Sequence, residues 1–268
     1  MNQKKNSNLK NNQKDVDSLD YIDVIILCGG LGTRLKPLIF EEPKVLAKIG
    51  DQTFLDILID NISFYGSTNI ILCIGHLKDN IKRYFGHCHD YYEQKNRIVY
   101  NYNDCRIKFS EEGEPLGTGG ALKNAELLIN SDPFIVMNGD SICNVDFRKL
   151  LDFHKNKKAL LSMVLARSMT SRDYGTVILD NSSRIINFNE KPIDNNETMI
   201  NAGIYIMQKD IFSYMPDRKT FSLEYDLFPK LCNDICYGFV TNSEIIDIGT
   251  PERYIRAIEI LSTNSTNK

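Results

Sequence analysis

No apolar run in the 268-residue chain reaches the ~18 residues of a bilayer span, which excludes a helical membrane segment. An excess of positive charge is also missing. Thirty-two Lys and Arg stand against 35 Asp and Glu, a net −3, so the basic footprint of a nucleic-acid binder is absent. The seven cysteines are odd in number and lack paired spacing, which argues against a disulfide framework and for free thiols in a reducing compartment. No apolar h-region follows the Lys- and Asn-rich start, so it does not read as a secretory signal. The expected location is the cytoplasm. Repeats, heptads and hexapeptide patterns are lacking too.

What is present fits one large α/β unit. A chain of this size buries roughly 75% of its unfolded surface and needs no covalent staples. Residues 1–20 hold four lysines and three aspartates and few apolar side chains, and read as a disordered tail. Residues 21–268 read as a single domain, with residues 262–268 expected to fray. Strands are expected at 24–27, 70–74, 133–137, 160–166, 176–179, 200–207, 237–240 and 244–248. Helices are expected at 53–65, 77–85, 117–129, 147–155, 222–233 and 251–261, with Thr53 and Ser222 as caps and Pro251 in a first turn. Early strands apolar on both faces and separated by helices imply a parallel sheet covered on both sides. The strand-rich middle should add antiparallel pieces. The expectation is therefore a Rossmann-like three-layer α/β fold with a mixed, mostly parallel central sheet. Ligands on such sheets sit beyond the carboxyl ends of the strands.

One segment stands out there. After Val24-Ile25-Ile26-Leu27 comes Cys28-Gly29-Gly30-Leu31-Gly32-Thr33-Arg34-Leu35, then Pro43-Lys44. Strand, bare loop and two cations suit a triphosphate. The spacing matches neither G-x-G-x-x-G nor G-x-x-x-x-G-K-[ST], so a dinucleotide fingerprint and a Walker loop are excluded. A ligand-free strand-to-helix turn is the plain alternative. Asn138-Gly139-Asp140 and Asp247-Ile248-Gly249-Thr250-Pro251 each set a carboxylate after a strand. Taken alone, Asp140 is a turn residue and Asp247 a cap or a solvent-facing side chain. Glu114-Pro115-Leu116-Gly117-Thr118-Gly119-Gly120 could open a helix or let backbone pack flat against a nucleobase. His87-Cys88-His89 lacks a second ligand pair at suitable spacing and does not read as zinc.

Together these segments resemble the sugar-phosphate nucleotidyltransferases, from about Ile22 to about Ile260. Such enzymes join a sugar 1-phosphate to a nucleoside triphosphate and release pyrophosphate. Cys28 departs from the alanine of many members, a small buried side chain in either case. The resemblance implies roles. Leu27, Gly29, Gly30, Gly32, Thr33, Arg34 and Lys44 would hold the nucleotide, with Glu114, Pro115, Leu116, Gly117, Thr118, Asn138 and Gly139. Asp140 and Asp247 would bind Mg²⁺. Tyr174-Gly175, Glu190-Lys191-Pro192, Asn201-Ala202-Gly203 and Glu224 would form the sugar-phosphate side. Each of these pieces alone has a structural reading: strand start, solvated ion pair, bulge glycine, acid in a helix's first turn. Arg34, Lys44, Asp140 and Lys191 would be the catalytic set. Pro115-Leu116-Gly117-Thr118-Gly119-Gly120 resembles the guanylyltransferases most, and with the short length, the Cys28-Gly29-Gly30 start and the Asp247-Ile248-Gly249-Thr250-Pro251-Glu252 ending the chain resembles their D-glycero-α-D-manno-heptose 1-phosphate branch, implying GTP and a product used for surface glycans. The alternatives are a mannose 1-phosphate guanylyltransferase, a uridylyl- or thymidylyltransferase, and a non-catalytic nucleotide-sugar-binding regulatory subunit. Expected partners are the two small substrates, not nucleic acid or membrane, in a monomer or small homo-oligomer.

Overall fold

The computed structural model describes residues 19–30, 32, 34–35, 41–88, 91–94, 97–168, 174–190, 198–232 and 235–265. The chain enters on strand β1 (Asp23–Leu27), passes the short pair β2 (Lys48–Ile49) and β3 (Gln52–Thr53), and reaches helix α1 (Phe54–Ser63). Strand β4 (Asn69–Ile74) and helix α2 (Lys78–Cys88) precede a meander of β5 (Tyr91–Gln94), β6 (Arg97–Tyr102) and β7 (Cys105–Glu111). Helix α3 (Gly117–Asn124) leads to β8 (Phe134–Asn138), β9 (Ser141–Cys143), helix α4 (Phe147–Lys157) and β10 (Leu161–Ser168). Then come β11 (Thr176–Leu179), β12 (Ile185–Asn189) and the long β13 (Thr198–Met207). A π-helical turn, Leu223–Leu227, runs into α5 (Phe228–Leu231), and β14 (Cys236–Thr241), β15 (Ile245–Asp247) and α6 (Pro251–Ser265) close the described chain.

The main sheet has the order β12-β11-β13-β8-β1-β4-β7-β6-β5, with β10 beside β13 and β14 beyond β10. Its centre, β8-β1-β4-β7, is parallel, while β13 runs antiparallel to β8 and β6 antiparallel to β7. Alternation along β1 explains the layering: Val24 and Ile26 enter one core and Ile25 the other, all fully buried. The first core packs α1, α2, α4 and α6 on the sheet, the second α3 and α5. This is the expected three-layer fold. Thr53 caps α1 in a capping box with Asp56. The Asp56 carboxylate is buried and also accepts from the Tyr84 and Tyr102 hydroxyls at 2.8 Å, tying α1 to α2 and β6.

Several expectations are corrected. Leu19, placed in the tail, is fully buried, and its N–H donates to Tyr65 O at 3.2 Å, so the fold begins before residue 21. Residues 1–18 lie outside the described residues. At the other end α6 continues to Ser265 instead of fraying from 262. The helix expected over 222–233 is a π turn followed by one short α turn. Pro229 has no N–H to donate to the fourth carbonyl before it, so a regular α-helix cannot run through. The helix expected over 117–129 ends at Asn124, with a 3₁₀ turn over Glu126–Leu128. The meander β5-β6-β7 and the strand β12 were not expected. In β7 buried Cys105 and Ile107 alternate with exposed Arg106 and half-buried Lys108, so no continuous apolar run announces it.

Candidate functional site

The carboxyl ends of β1 and β8 meet. Gly139 N–H donates to Leu27 O at 2.9 Å, and a Cβ on Gly139 would lie 2.6 Å from that oxygen and 2.9 Å from Val45 Cγ1. Only glycine permits this approach, and it sets Asp140 beside the glycine loop. Within the loop Gly32 has φ +58°, a left-handed backbone that glycine adopts freely. A Cβ there would touch Lys44 Cβ at 3.5 Å. Lys44 Nζ then pairs with Asp140 Oδ2 at 2.6 Å.

The second acid arrives on β15. Asp247 stands opposite Ser141 of β9, and Ile248 N–H donates to Asp140 O at 3.0 Å, so the two aspartates sit at one ladder end. Asp247 Oδ1 accepts from Gly249 N–H at 2.8 Å and from Arg253 Nη1 at 3.5 Å, and its Oδ2 accepts from the Tyr174 hydroxyl. Burial, then that bond, push the Tyr174 phenol up from its ordinary range. A Cβ built on Gly249 would lie 3.9 Å from Arg34 Nη2, which places the Arg34 guanidinium against the same turn. Glycine loop, Arg34, Lys44, Asp140 and Asp247 thus face one place. Among the described residues no three His, Cys, Asp or Glu side chains group as a metal site. Thr33 and Lys191 lie outside the described residues.

The sugar-side residues converge beside these. Asn201 N–H donates to Gly175 O at 2.8 Å, and a Cβ on Gly175 would meet Glu190 Oε2 at 2.8 Å. Gly203, at φ +73°, lets β13 pass Asn138, whose Nδ2 would stand 2.6 Å from any Cβ there. Among the described residues, Asn138 Oδ1 and Glu190 Oε2 are buried without a hydrogen-bond partner, an arrangement that proteins rarely leave unanswered. Burial, reinforced by Glu224, raises the Glu190 carboxyl to about 7. Glu224 Oε2 accepts from the Thr118 and Ser222 hydroxyls, both at 2.6 Å. Two placements differ from expectation. The Asn201 amide is engaged within β13, donating to Tyr205 Oη at 2.7 Å and accepting from Gly203 N–H at 3.0 Å, so it shapes the strand instead of offering its side chain. Tyr174 directs its hydroxyl to Asp247.

The loop 114–120 packs against residues 219–221 of the same chain. Gly119 and Gly120 N–H both donate to Phe221 O, at 3.0 and 3.1 Å, and a Cβ on Gly117 would strike that oxygen at 2.6 Å. Leu116 N–H goes to Glu112 Oε2 at 3.1 Å, and Leu116 O accepts from Phe221 N–H at 3.0 Å. These glycines let residues 219–221 pack close, and the Gly119 and Gly120 N–H groups are taken by Phe221 O. Thr118 links the loop to the sugar side through Glu224.

Sequence reasoning missed Glu112 and Arg253. Glu112 is buried just past β7, its N–H extending the ladder to Ile74 O at 2.8 Å. Its Oε1 would lie 2.5 Å from a Cβ on Gly29, so the carboxylate fills space that the glycine leaves. Desolvation raises its pKa. The signal was present, an acid at a strand's carboxyl end like Asp140, but it is visible only once β7 is recognised.

Comparison with known proteins agrees with this geometry. The nucleotidyl transferase family profile matches residues 23–264. A D-glycero-α-D-manno-heptose 1-phosphate guanylyltransferase from Aneurinibacillus thermoaerophilus is 37% identical over 237 residues, 88% of this chain and 96% of that one. A mannose-1-phosphate guanylyltransferase from Mycobacterium tuberculosis is 32% identical over 88% of this chain and 63% of its own length. The crystal structure of HddC from Yersinia pseudotuberculosis complexed with GMP-PN superimposes with a TM-score of 0.75 at 33% identity, covering 90% of this chain and 99% of that one.

Proposed function

Because the chain belongs to the nucleotidyl transferase family, we propose that it transfers GMP from GTP to D-glycero-α-D-manno-heptose 1-phosphate, giving a GDP-heptose and pyrophosphate. The observation that carries this reading is the meeting, at one sheet edge, of a glycine loop with two cations, a pair of aspartates, and a half-buried acid pair beyond them, Glu190 and Glu224. The first two suit a triphosphate and the third a polyhydroxylated sugar. We place the reaction in the cytoplasm, in support of surface-glycan synthesis. No described helix is long and apolar enough to cross a membrane, and Cys28, Cys73, Cys105, Cys143, Cys232 and Cys236 are free.

No protein nucleophile is required. An oxygen of the sugar phosphate attacks the α-phosphorus in line, and the bond to the bridging oxygen of pyrophosphate breaks. Arg34 and Lys44 hold the triphosphate and draw off charge as pyrophosphate departs. Lys191, by the resemblance, holds the incoming sugar phosphate. Orientation of this kind can supply about 7–11 kcal/mol. Asp140 and Asp247 offer hard oxygens at one ladder end, a donor set suited to Mg²⁺ with phosphate oxygens completing its shell. Lys44 and Arg253 already act as organic counter-ions there, so the site takes up positive charge. When bound, the ion would neutralise charge on the transferring phosphoryl group. Glu112 supports guanine as the base, since a carboxylate accepts from the adjacent N1–H and N2–H₂ donors of that ring.

A panel of GTP, UTP, CTP and dTTP against heptose and mannose 1-phosphates, with pyrophosphate release followed, tests the assignment. GTP with the heptose phosphate should react best. Faster turnover of mannose 1-phosphate would reassign the sugar, faster turnover of UTP or dTTP the base, and no release from any pair would remove the enzyme reading.

Glu190 makes sugar binding pH-dependent. Its carboxyl sits near 7 because burial and Glu224 disfavour the charge, so it is protonated below and ionised above. Sugar hydroxyls donate best to the carboxylate. KM for the sugar phosphate should therefore fall about tenfold from pH 6 to pH 8, the size of one charge-assisted hydrogen bond. Glu190→Gln should flatten that profile, and comparison with it cancels the titration of the substrate's own phosphate. Parallel profiles would place the sugar elsewhere.

A further inference from the structure

Asp247 is held by three donors of unequal kind. Gly249 N–H, at 2.8 Å, belongs to the turn itself, and glycine is needed there because a Cβ would lie 2.7 Å from Oδ1. The Tyr174 hydroxyl on Oδ2 is fixed by a half-buried ring. Arg253 Nη1, at 3.5 Å, is farther than the 2.7–2.9 Å typical of a charge-assisted bond. Its guanidinium carbon lies 5.2 Å from the centre of the Tyr174 ring, a cation–π seat that does not depend on the carboxylate. The Arg253 backbone N–H is anchored to Thr250 Oγ1 at 3.4 Å in the first turn of α6. Arg253, Tyr174 and Asp247 also line a cavity of about 380 Å³ with Arg167 and Arg256, so open volume adjoins the guanidinium.

We propose that Arg253 is the exchangeable counter-ion of Asp247, a positioning residue that keeps this carboxylate aligned and yields to an arriving divalent cation, and so sets how tightly that cation binds. The proposal rests on the reading of Asp140 and Asp247 as cation ligands. The charge logic is direct. A monocation beside the site stabilises a lone aspartate but repels a dication. Removing it strengthens cation binding while loosening the carboxylate. The affinity gain should be about tenfold, the size of the repulsion between a monocation and a dication about 6 Å apart at a water-like dielectric.

The experiment is a Mn²⁺ titration of the full chain without nucleotide or sugar phosphate, followed by electron paramagnetic resonance of the free ion. Wild type is compared with Arg253→Met, Arg253→Gln, Arg253→Lys and Asp247→Asn. Met and Gln should each tighten Mn²⁺ about tenfold and lower kcat, whereas Lys, which keeps the charge, should stay within about threefold of wild type. Gln keeps polarity and carries the same expectation if Met folds poorly. A helix-packing role for Arg253 would not tighten cation binding. If Asp247→Asn weakens Mn²⁺ binding while Met and Gln leave it unchanged or weaker, the proposal is overturned and the cation reading stands. If Asp247→Asn leaves Mn²⁺ binding unchanged, the cation reading itself fails.

Discussion

Asp140→Asn is expected to lower kcat by about 10²–10³ with the fold intact, the scale seen when one preorganised charge contact is removed from a reacting centre. The substitution keeps the volume and removes only the charge. Asp140 is 45% exposed on its side chain, and its pair with Lys44 is part-buried at the sheet edge, so the stability at stake is that of a partly solvated ion pair, about 1 kcal/mol or less. The catalytic loss is larger because the same carboxylate has two tasks there. It fixes Lys44 at 2.6 Å, and on the proposed reading it would be one of the two carboxylates that hold the metal. Asp247→Asn should fall as far, since an amide can still accept from Gly249 or Tyr174 but brings no charge. Thermal melting should move by a few degrees at most, and circular dichroism should be unchanged. The double variant Lys44→Ala/Asp140→Asn should be scarcely worse than either single variant, because residues acting as one unit are strongly non-additive. Turnover at the wild-type rate in Asp140→Asn or Asp247→Asn would sink the assignment of the acids.

How far the sequence reveals this site depends on what kind of signal each part leaves. β1, β4 and β8 lie in the parallel centre, buried on both faces, so they appear as apolar runs that end where glycine-containing turns begin. Gly29-Gly30, Gly139 and Asp140 could be placed at the sheet edge on that basis alone, whereas Asp247 lies on the half-buried β15 of a separate two-stranded ladder. The antiparallel flank leaves a weaker trace. β7 mixes buried with solvated side chains and is joined to β6 by a turn at Asn103 and Asp104, both with positive φ. With β7 unseen, Glu112 had no edge to stand on. Backbone donors leave least trace of all. Gly119 and Gly120 look equally suited to a nucleobase or to a carbonyl of the same chain, and only tertiary packing shows that Phe221 O takes both. Arg253 is in the same position: one residue in an ordinary helix start, given meaning by Tyr174 from another strand end.

Glu112→Gln is expected to cost GTP about 1.5–3 kcal/mol in kcat/KM, roughly 10–150-fold, the worth of a hydrogen bond to a charged group. Uracil and thymine face a carboxylate differently from guanine. Their single N3–H lies between two carbonyl oxygens, which a buried negative charge repels. Replacing one Glu112 oxygen by NH₂ removes an acceptor for guanine and supplies a donor to a pyrimidine carbonyl. The GTP to UTP ratio should therefore collapse by more than the loss with GTP alone, which is the logic of selection by an unpaired polar group. A structural role makes a different prediction. Glu112 Oε2 also receives the Leu116 N–H, and Lys78 Nζ donates to the Glu112 main-chain oxygen at 3.2 Å. Glutamine keeps an acceptor for Leu116 and leaves the main chain unchanged, so the loop should hold and the melting temperature should barely shift. Equal losses with GTP and UTP, accompanied by a lowered melting temperature, would show that Glu112 only supports the glycine turn and that the base is read by other groups.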